Sequence, residues 1–140
     1  MTASSDPLRG ERLQEVLALA QPRLPAERHA AFEAFACECV GQLDADDLAP
    51  ARVEDLAGAL LSHWQFGAQR APGAPKVRVL SPTIAEDGWG SRHTVIEVVN
   101  DDMPFLVDST RIEINRQGLT LHLIVHPIFA VERDASGVLQ

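Results

Sequence analysis

Hydrophobic residues recur every three to four positions through the first half of the chain, and this period predicts three amphipathic helices. They run from Pro7 to Ala20, from about Ala26 to Leu43 and from about Ala51 to Arg70. The clearest stripe belongs to the second helix and consists of Phe32, Phe35, Ala36, Cys39, Val40 and Leu43. Other parts of the protein must cover each apolar stripe, because isolated helices of this length have only marginal stability in water. The pattern therefore predicts a helical N-terminal module over residues 1–71, with a frayed start at residues 1–6.

The hydrophobic period changes after Ala71–Pro75, a proline- and glycine-rich segment that marks the best domain boundary. Lys76–Leu80 alternates and predicts a short strand. Thr94–Val99 is almost continuously β-branched and apolar, which is typical of a strand buried on both faces. The loop between them contains Pro82, Gly88 and Gly90 and could return the chain, so that the two strands pair in antiparallel orientation.

A helix is predicted next, with Leu106, Thr110 and Ile114 on one face and Gly118 at its C-terminal end. Alternation from Leu119 to Val125 then predicts another strand. The fold class is therefore α+β: an N-terminal helical module followed by a partial ferredoxin-like β-α-β half-fold over residues 76–140.

The last residues, Val138–Gln140, follow a turn signal and resemble the start of a further strand. We therefore expect the sequence to be a piece of a longer protein, with the rest of that polypeptide as its partner. A half-sheet has open edges that favour pairing with another chain. We also expect a homo-oligomer formed through these edges.

Composition and charge narrow the range of functions. The formal net charge of −8, from 12 basic and 20 acidic residues, argues against a nucleic-acid partner. No apolar run approaches the roughly 20 residues that span a bilayer, and the N-terminus lacks the apolar centre of a signal peptide. Cys37 and Cys39 are two apart on a predicted helix and could not bridge without distorting it. Reduced thiols and a cytoplasmic location are the natural interpretation.

Several residues could carry chemistry, but simpler explanations compete. His122 and His126 share a face of the predicted strand at a separation of about 13 Å, too far for one metal ion. Asp101 and Asp102 could form a paired-carboxylate site, although capping of the next helix explains them more simply. Asp108-Ser109 lacks the glycine elbow of a hydrolase.

Nucleotide-binding loops of the Gly-x-Gly-x-x-Gly or Gly-Lys-Ser/Thr type do not occur in the sequence, so we predict no catalytic, cofactor-binding or metal-binding residue here. Trp64 and Phe66, near Arg70, are more typical of a core and its rim than of a ligand box. The loop after Thr94–Val99 is the one place for a small ligand, because amides at a helix N-terminus favour a carboxylate.

The segment His93–Ser109, which reads HTVIEVVNDDMPFLVDS, is followed by LHLIVHP at 121–127. Together they resemble the N-terminal region of the large bacterial NAD-specific glutamate dehydrogenases. Ser62–Arg70 and Lys76–Pro82 fit the same region, so the resemblance covers roughly residues 40–140. In that family this region is the first of several ACT-like modules ahead of the catalytic part.

The resemblance implies a parent enzyme that oxidatively deaminates L-glutamate to 2-oxoglutarate with NAD, and whose catalytic residues and dinucleotide-binding glycines lie beyond Gln140. It implies no cofactor in this fragment, which would be a non-catalytic regulatory or assembly segment. Many amino-acid-binding ACT modules carry Asp-x-Pro-Gly at the strand–helix turn. Here Asp102-Met103-Pro104 matches, but Phe105 replaces the glycine. We expect Phe105 to plug the core or an interface, which favours assembly over effector binding.

Two alternatives stay open. The region could be an effector-binding ACT domain in which Asn100, Asp101, Asp102 and Met103, with the first turn of the helix, receive the carboxylate of an amino acid. It could also be a small stand-alone enzyme that uses Asp101, Asp102 and His126.

Overall fold

The computed structural model describes residues 6–140, so residues 1–5 of the predicted frayed start lie outside the described residues. Six α-helices and two strands follow one another in this range: α1 (Pro7–Ala20), α2 (His29–Gly41), α3 (Ala45–Leu48), α4 (Val53–Gly67), β1 (Lys76–Leu80), α5 (Ile84–Asp87), β2 (Val95–Val99) and α6 (Leu106–Arg116). Two short 3₁₀ turns, Gln21–Arg23 and Ala26–Arg28, join α1 to α2. The predicted α+β class with a helical N-terminal region is confirmed.

Local chemistry sets the ends of the first helices. The Asp6 carboxylate accepts a hydrogen bond of 3.1 Å from the amide of Leu8, and Pro7 occupies the first helical turn, where its missing N–H costs nothing. The second helix begins at His29 and not at Ala26, because Pro25 starts a 3₁₀ turn closed by the amide of Arg28. Asp6 is therefore an ordered N-cap, which corrects the prediction that it belongs to a frayed end.

The core lies among the helices, where α1 packs against α2 and α4. The stripe predicted for the second helix is buried in full, and the larger set of buried apolar residues comprises Val16, Leu17, Ala20, Phe32, Phe35, Ala36, Cys39, Val40, Leu43, Leu48, Ala57 and Leu61. Cys37 is exposed and Cys39 is buried, and both are free thiols, as predicted. Burial, with a smaller contribution from Glu38, raises the pKa of the Cys39 thiol to about 12.

The two strands pair in antiparallel orientation, as predicted, with Lys76 opposite Val99 and Leu80 opposite Val95. The connecting loop folds back over α4. Its Trp89 is buried against Gly58, where an added Cβ would overlap the indole ring. The amide of Gly90 donates a 2.9 Å hydrogen bond to the Asp55 carboxylate.

The prediction that Thr94–Val99 is buried on both faces is wrong. Ile96 and Val98 are 45% and 38% exposed, and Val77 and Val79 on the neighbouring strand are 59% and 64% exposed. These four side chains share one face of the sheet, because Val77 lies opposite Val98 and Val79 lies opposite Ile96. We call this set the outer sheet face.

The strand predicted from Leu119 to Val125 does not form either. Residues 119–131 have no regular secondary structure, although Gly118 ends α6 in the left-handed conformation as predicted. The segment is held by side chains instead: His122 stacks on His93, and the ring of Phe129 lies 5.6 Å from that of Phe35. Val138 and Leu139 then form isolated bridges and not a full strand. An alternating sequence becomes a strand only when a ladder partner is available.

Candidate functional site

The loop that joins β2 to α6, residues 100–105, contains every residue for which the sequence predicted effector binding. Asn100 is half-buried, and its side-chain amide lies 3.4 Å from the sulfur of Met103. Asp101, Asp102 and Met103 are exposed. The loop therefore presents two carboxylates and a thioether at the carboxyl end of β2.

Asp101 does not cap α6, which corrects the capping prediction. Its carboxylate lies 2.8 Å from Nη2 of Arg70, just beyond the C-terminal end of α4. The helix begins only at Leu106, and neither Asp101 nor Asp102 bonds to its first amides. Pro104 and the conformation of Phe105 delay the start of the helix, and the guanidinium of Arg70 holds the carboxylate of Asp101.

Phe105 occupies the N-cap position of α6 with φ of 63°, in the left-handed region. This is the position where Asp-x-Pro-Gly modules have glycine, so the backbone keeps a glycine-like conformation although the residue is phenylalanine. A left-handed residue with a Cβ costs roughly 1–2 kcal/mol. The ring is 76% exposed, so the prediction that it plugs the core is wrong. The predicted interface role stays a prediction.

The other candidate residues do not converge. His122 stacks on His93 at a ring-centroid distance of 3.9 Å, whereas the backbone amide of His126 bonds to the Gln42 side chain. In the part of the chain that the structure describes, no three His, Cys, Asp or Glu side chains are grouped to hold a metal ion. Asp108 and Ser109 are exposed on α6.

The tryptophan and phenylalanine near Arg70 belong to the core, as predicted. Trp64 packs edge-on against Phe32 at 5.7 Å between ring centroids. Phe66 is buried, and the cationic groups of Lys76 and Arg78 each lie 4.5 Å from the centre of its ring.

The structure contains a buried polar network between α4 and the sheet that was not predicted from the sequence. Glu97 is only 6% exposed, and its carboxylate accepts hydrogen bonds from His63 at 2.8 Å and from the guanidinium of Arg78. Arg78 also bonds to the hydroxyl of Ser62 at 2.9 Å. The network joins α4 to the face of the sheet that carries Arg78 and Glu97, which we call the inner sheet face.

Opposing effects act on the Glu97 carboxyl. Burial alone would raise its pKa, but the hydrogen bonds from His63 and Arg78 and the positive charge of Arg78 together lower the pKa below its usual value. The sequence does contain a signal for this pair. Arg78 and Glu97 each have an apolar residue on both sides, and antiparallel pairing places the two charged residues opposite each other.

The two faces of the sheet thus differ in charge and in exposure. The inner face carries the charged network and packs on α4, while the outer sheet face carries only Val and Ile and is open to solvent. Among the described residues, the outer sheet face and the β2–α6 loop therefore expose apolar side chains to solvent. Among these residues, no helix is both long and apolar enough to cross a membrane.

Residues 35–140 match the protein family described as glutamate dehydrogenase, ACT1 domain. The NAD-specific glutamate dehydrogenase of Halomonas elongata is 48% identical over 120 residues, which are 86% of this chain and 7% of that protein. The NAD-specific glutamate dehydrogenase of Pseudomonas aeruginosa is 39% identical over 106 residues, which are 76% of this chain and 6% of that protein. The chain thus spans less than a tenth of the length of these relatives. No solved structure gives a significant match.

Proposed function

Because this chain belongs to the glutamate dehydrogenase ACT1 domain family, we propose that it is a non-catalytic assembly segment of a large NAD-dependent glutamate dehydrogenase. The parent reaction would be the oxidative deamination of L-glutamate to 2-oxoglutarate. The NAD-binding and catalytic groups would lie in other parts of that enzyme, in the cytoplasm.

The observation that carries this proposal is the outer sheet face. Four β-branched side chains stand together on it, and Val77 and Val79 are each more than half exposed. A contiguous apolar patch of this kind marks an interaction surface. Covering it would stabilise a contact at about 25 cal/mol per Å² of apolar surface removed from water.

The β2–α6 loop extends this surface. Met103 is 51% exposed and Phe105 is 76% exposed, directly after the strand that carries Ile96 and Val98. Exposed aromatic residues are the usual anchors of protein interfaces. We infer that the outer sheet face and the loop contact the rest of the same polypeptide.

Association between copies of the enzyme would use the sheet edges. Each strand has a ladder partner on one side only, among the residues that the structure describes. Unpaired strand edges are templates for pairing with another chain. A homo-oligomer joined through β1 or β2 is therefore part of the proposal.

The test is a Val79→Lys substitution in the full-length enzyme, compared with Gln14→Lys, which adds the same charge at an exposed position of α1. Because Val79 is exposed, neither change should unfold the isolated chain. We expect Val79→Lys to weaken the contact between this segment and the rest of the enzyme, so that limited proteolysis releases the segment faster, and we expect Gln14→Lys to leave the rate of cleavage unchanged. An unchanged rate of cleavage together with an unchanged glutamate-dependent rate in the Val79→Lys enzyme would contradict the assembly role.

Effector binding is the competing function, and one observation favours it: α6 has no side-chain cap, so its first amides are available to a carboxylate. The phenylalanine in the glycine position and the pairing of Asp101 with Arg70 oppose it. Calorimetry with a panel of amino acids distinguishes the two functions. Heat that disappears in an Asp102→Ala variant would support effector binding at the N-terminus of α6, whereas no heat that depends on Asp102 is expected for an assembly segment.

A further inference from the structure

Three cationic side chains gather at the C-terminal end of α4, beside the linker Ala71–Pro75. Lys76 donates hydrogen bonds of 2.8 Å to the carbonyls of Phe66 and Gln69. Arg133 donates to the carbonyls of Gly67 and Gly137 at 2.8 and 3.0 Å. These contacts suit the negative end of a helix, and they use Lys76 and Arg133 for structure.

Arg70 is different, because its contacts leave part of its hydrogen-bonding capacity unused. Its side chain is only 10% exposed, and its Nε is buried without a partner among the described residues. Its ion-pair partner, Asp101, has a side chain that is 79% exposed. A buried guanidinium is thus covered by a carboxylate that solvent can reach.

Arg70 also lines part of a depression of about 420 Å³. Gln69, Arg70, Lys76 and Ser136 line it, together with residues of the linker. Two acidic groups are bonded to residues of this region: Asp101 bonds to Arg70, and the carboxylate of Asp134 accepts hydrogen bonds from the amides of Ser136 and Val138. Burial, and to a smaller extent the neighbouring charge of Arg70, lower the pKa of Arg133.

We propose that this depression binds a small carboxylate anion, which pairs with Arg70 in competition with the side chain of Asp101. Arg70 already binds one carboxylate of the chain itself, because Oδ1 of Asp101 lies 2.8 Å from Nη2 of Arg70. Guanidinium groups favour carboxylates because two parallel N–H donors match two oxygens. The ligand would bind the guanidinium of Arg70 and not the first amides of α6, so this site differs from the predicted effector site, and it does not depend on the proposed assembly function.

The experiment is an NMR titration of this chain with malonate at constant ionic strength, which follows the Nε–H resonance of Arg70 and the amides of Lys76 and Ser136. Because Arg70 is buried and its loss could unfold the chain, the deciding variant is Asp101→Asn at an exposed position. Asp108→Asn is the matched control, since it removes the same charge from an exposed position on α6.

Malonate is expected to shift all three resonances and to bind Asp101→Asn roughly two- to fivefold more tightly, the range that loss of a competing exposed ion pair allows. Asp108→Asn should bind as the unchanged chain does. The proposal is overturned if malonate shifts none of these resonances, or if the two variants gain affinity equally. Binding of inorganic phosphate as tightly as malonate would overturn the assignment to a carboxylate.

Discussion

Glu97 shows how one buried carboxylate can hold two layers of the molecule together. It receives hydrogen bonds from His63 on α4 and from Arg78 on β1. Removing one partner of a buried charged hydrogen bond leaves the others unsatisfied, which costs more than the bond itself contributes. We therefore expect Glu97→Gln to lower the free energy of unfolding by roughly 1–3 kcal/mol.

The measurement is urea denaturation of the unchanged chain and of the Glu97→Gln variant at neutral pH. Glu113→Gln is the control, because Glu113 pairs with Arg116 on the exposed surface of α6 and should contribute little. Equal stability of the Glu97→Gln variant and the unchanged chain would show that the network is dispensable.

The pH dependence of stability follows from the same residue. The pKa of Glu97 is lowered on folding, so its stabilising contribution is present above the unfolded value of about 4.5 and is lost as the pH falls through the folded value. The stability difference between the unchanged chain and Glu97→Gln should therefore shrink when urea denaturation is repeated at acid pH. A difference that stays constant or grows would contradict this assignment.

At Phe105, the effect of a substitution on stability can be measured separately from the proposed interface role. Glycine at φ of 63° relieves the left-handed strain, and the exposed ring contributes little to the core. Phe105→Gly should thus raise the stability of the isolated chain by about 1 kcal/mol. Phe105→Ala keeps the Cβ and should not, which makes it the control. Thermal denaturation distinguishes these outcomes, and a destabilised Phe105→Gly chain would show that the ring is structurally needed.

At the scale of elements, the contact between α4 and the loop before β2 depends on Gly58. Any Cβ there overlaps the buried ring of Trp89. Overpacking a well-packed contact costs roughly 1–3 kcal/mol, so Gly58→Ala should destabilise the chain despite the better helix propensity of alanine. Gly10→Ala in α1 is the control, because nothing lies within 4 Å of the added Cβ, and it should stabilise by about 0.5–1 kcal/mol. Chemical denaturation in which both changes stabilise would refute the close contact.

The helices could be predicted from the sequence because the apolar residues that recur along each helix are the residues that the fold buries. The stripe from Phe32 to Leu43 shows this directly. The antiparallel pair was also predictable, since the glycine and proline residues between the strands return the chain. Helix ends were harder: α2 starts later than predicted because the turn after Pro25 is of the 3₁₀ type.

The predictions that were wrong concern residues whose structure depends on partners far away in the sequence. Residues 119–125 alternate as a strand should, but no ladder forms there, and alternation alone cannot supply one. Asp101 was predicted as a helix cap, but it pairs with Arg70, which lies 31 residues earlier. The sequence around Asp101 does not show which of these two roles the carboxylate takes. The network around Glu97 likewise joins residues 34 positions apart.

At the scale of the whole molecule, the chain has a well-packed helical part and a sheet whose apolar face is uncovered. The resemblance based on His93–Ser109 and on residues 121–127 is confirmed by the family match over residues 35–140. The central claim is that the outer sheet face and the β2–α6 loop are covered by the rest of the enzyme.

Hydroxyl-radical footprinting tests this claim most directly, because it reports the solvent exposure of side chains in the isolated chain and in the full-length enzyme. Met103 and Phe105 are the reporters, and Leu19 on α1, which is 42% exposed, is the internal control. The account predicts that oxidation of Met103 and Phe105 falls severalfold in the full-length enzyme while that of Leu19 is unchanged. Equal oxidation of Met103 and Phe105 in both proteins would contradict it.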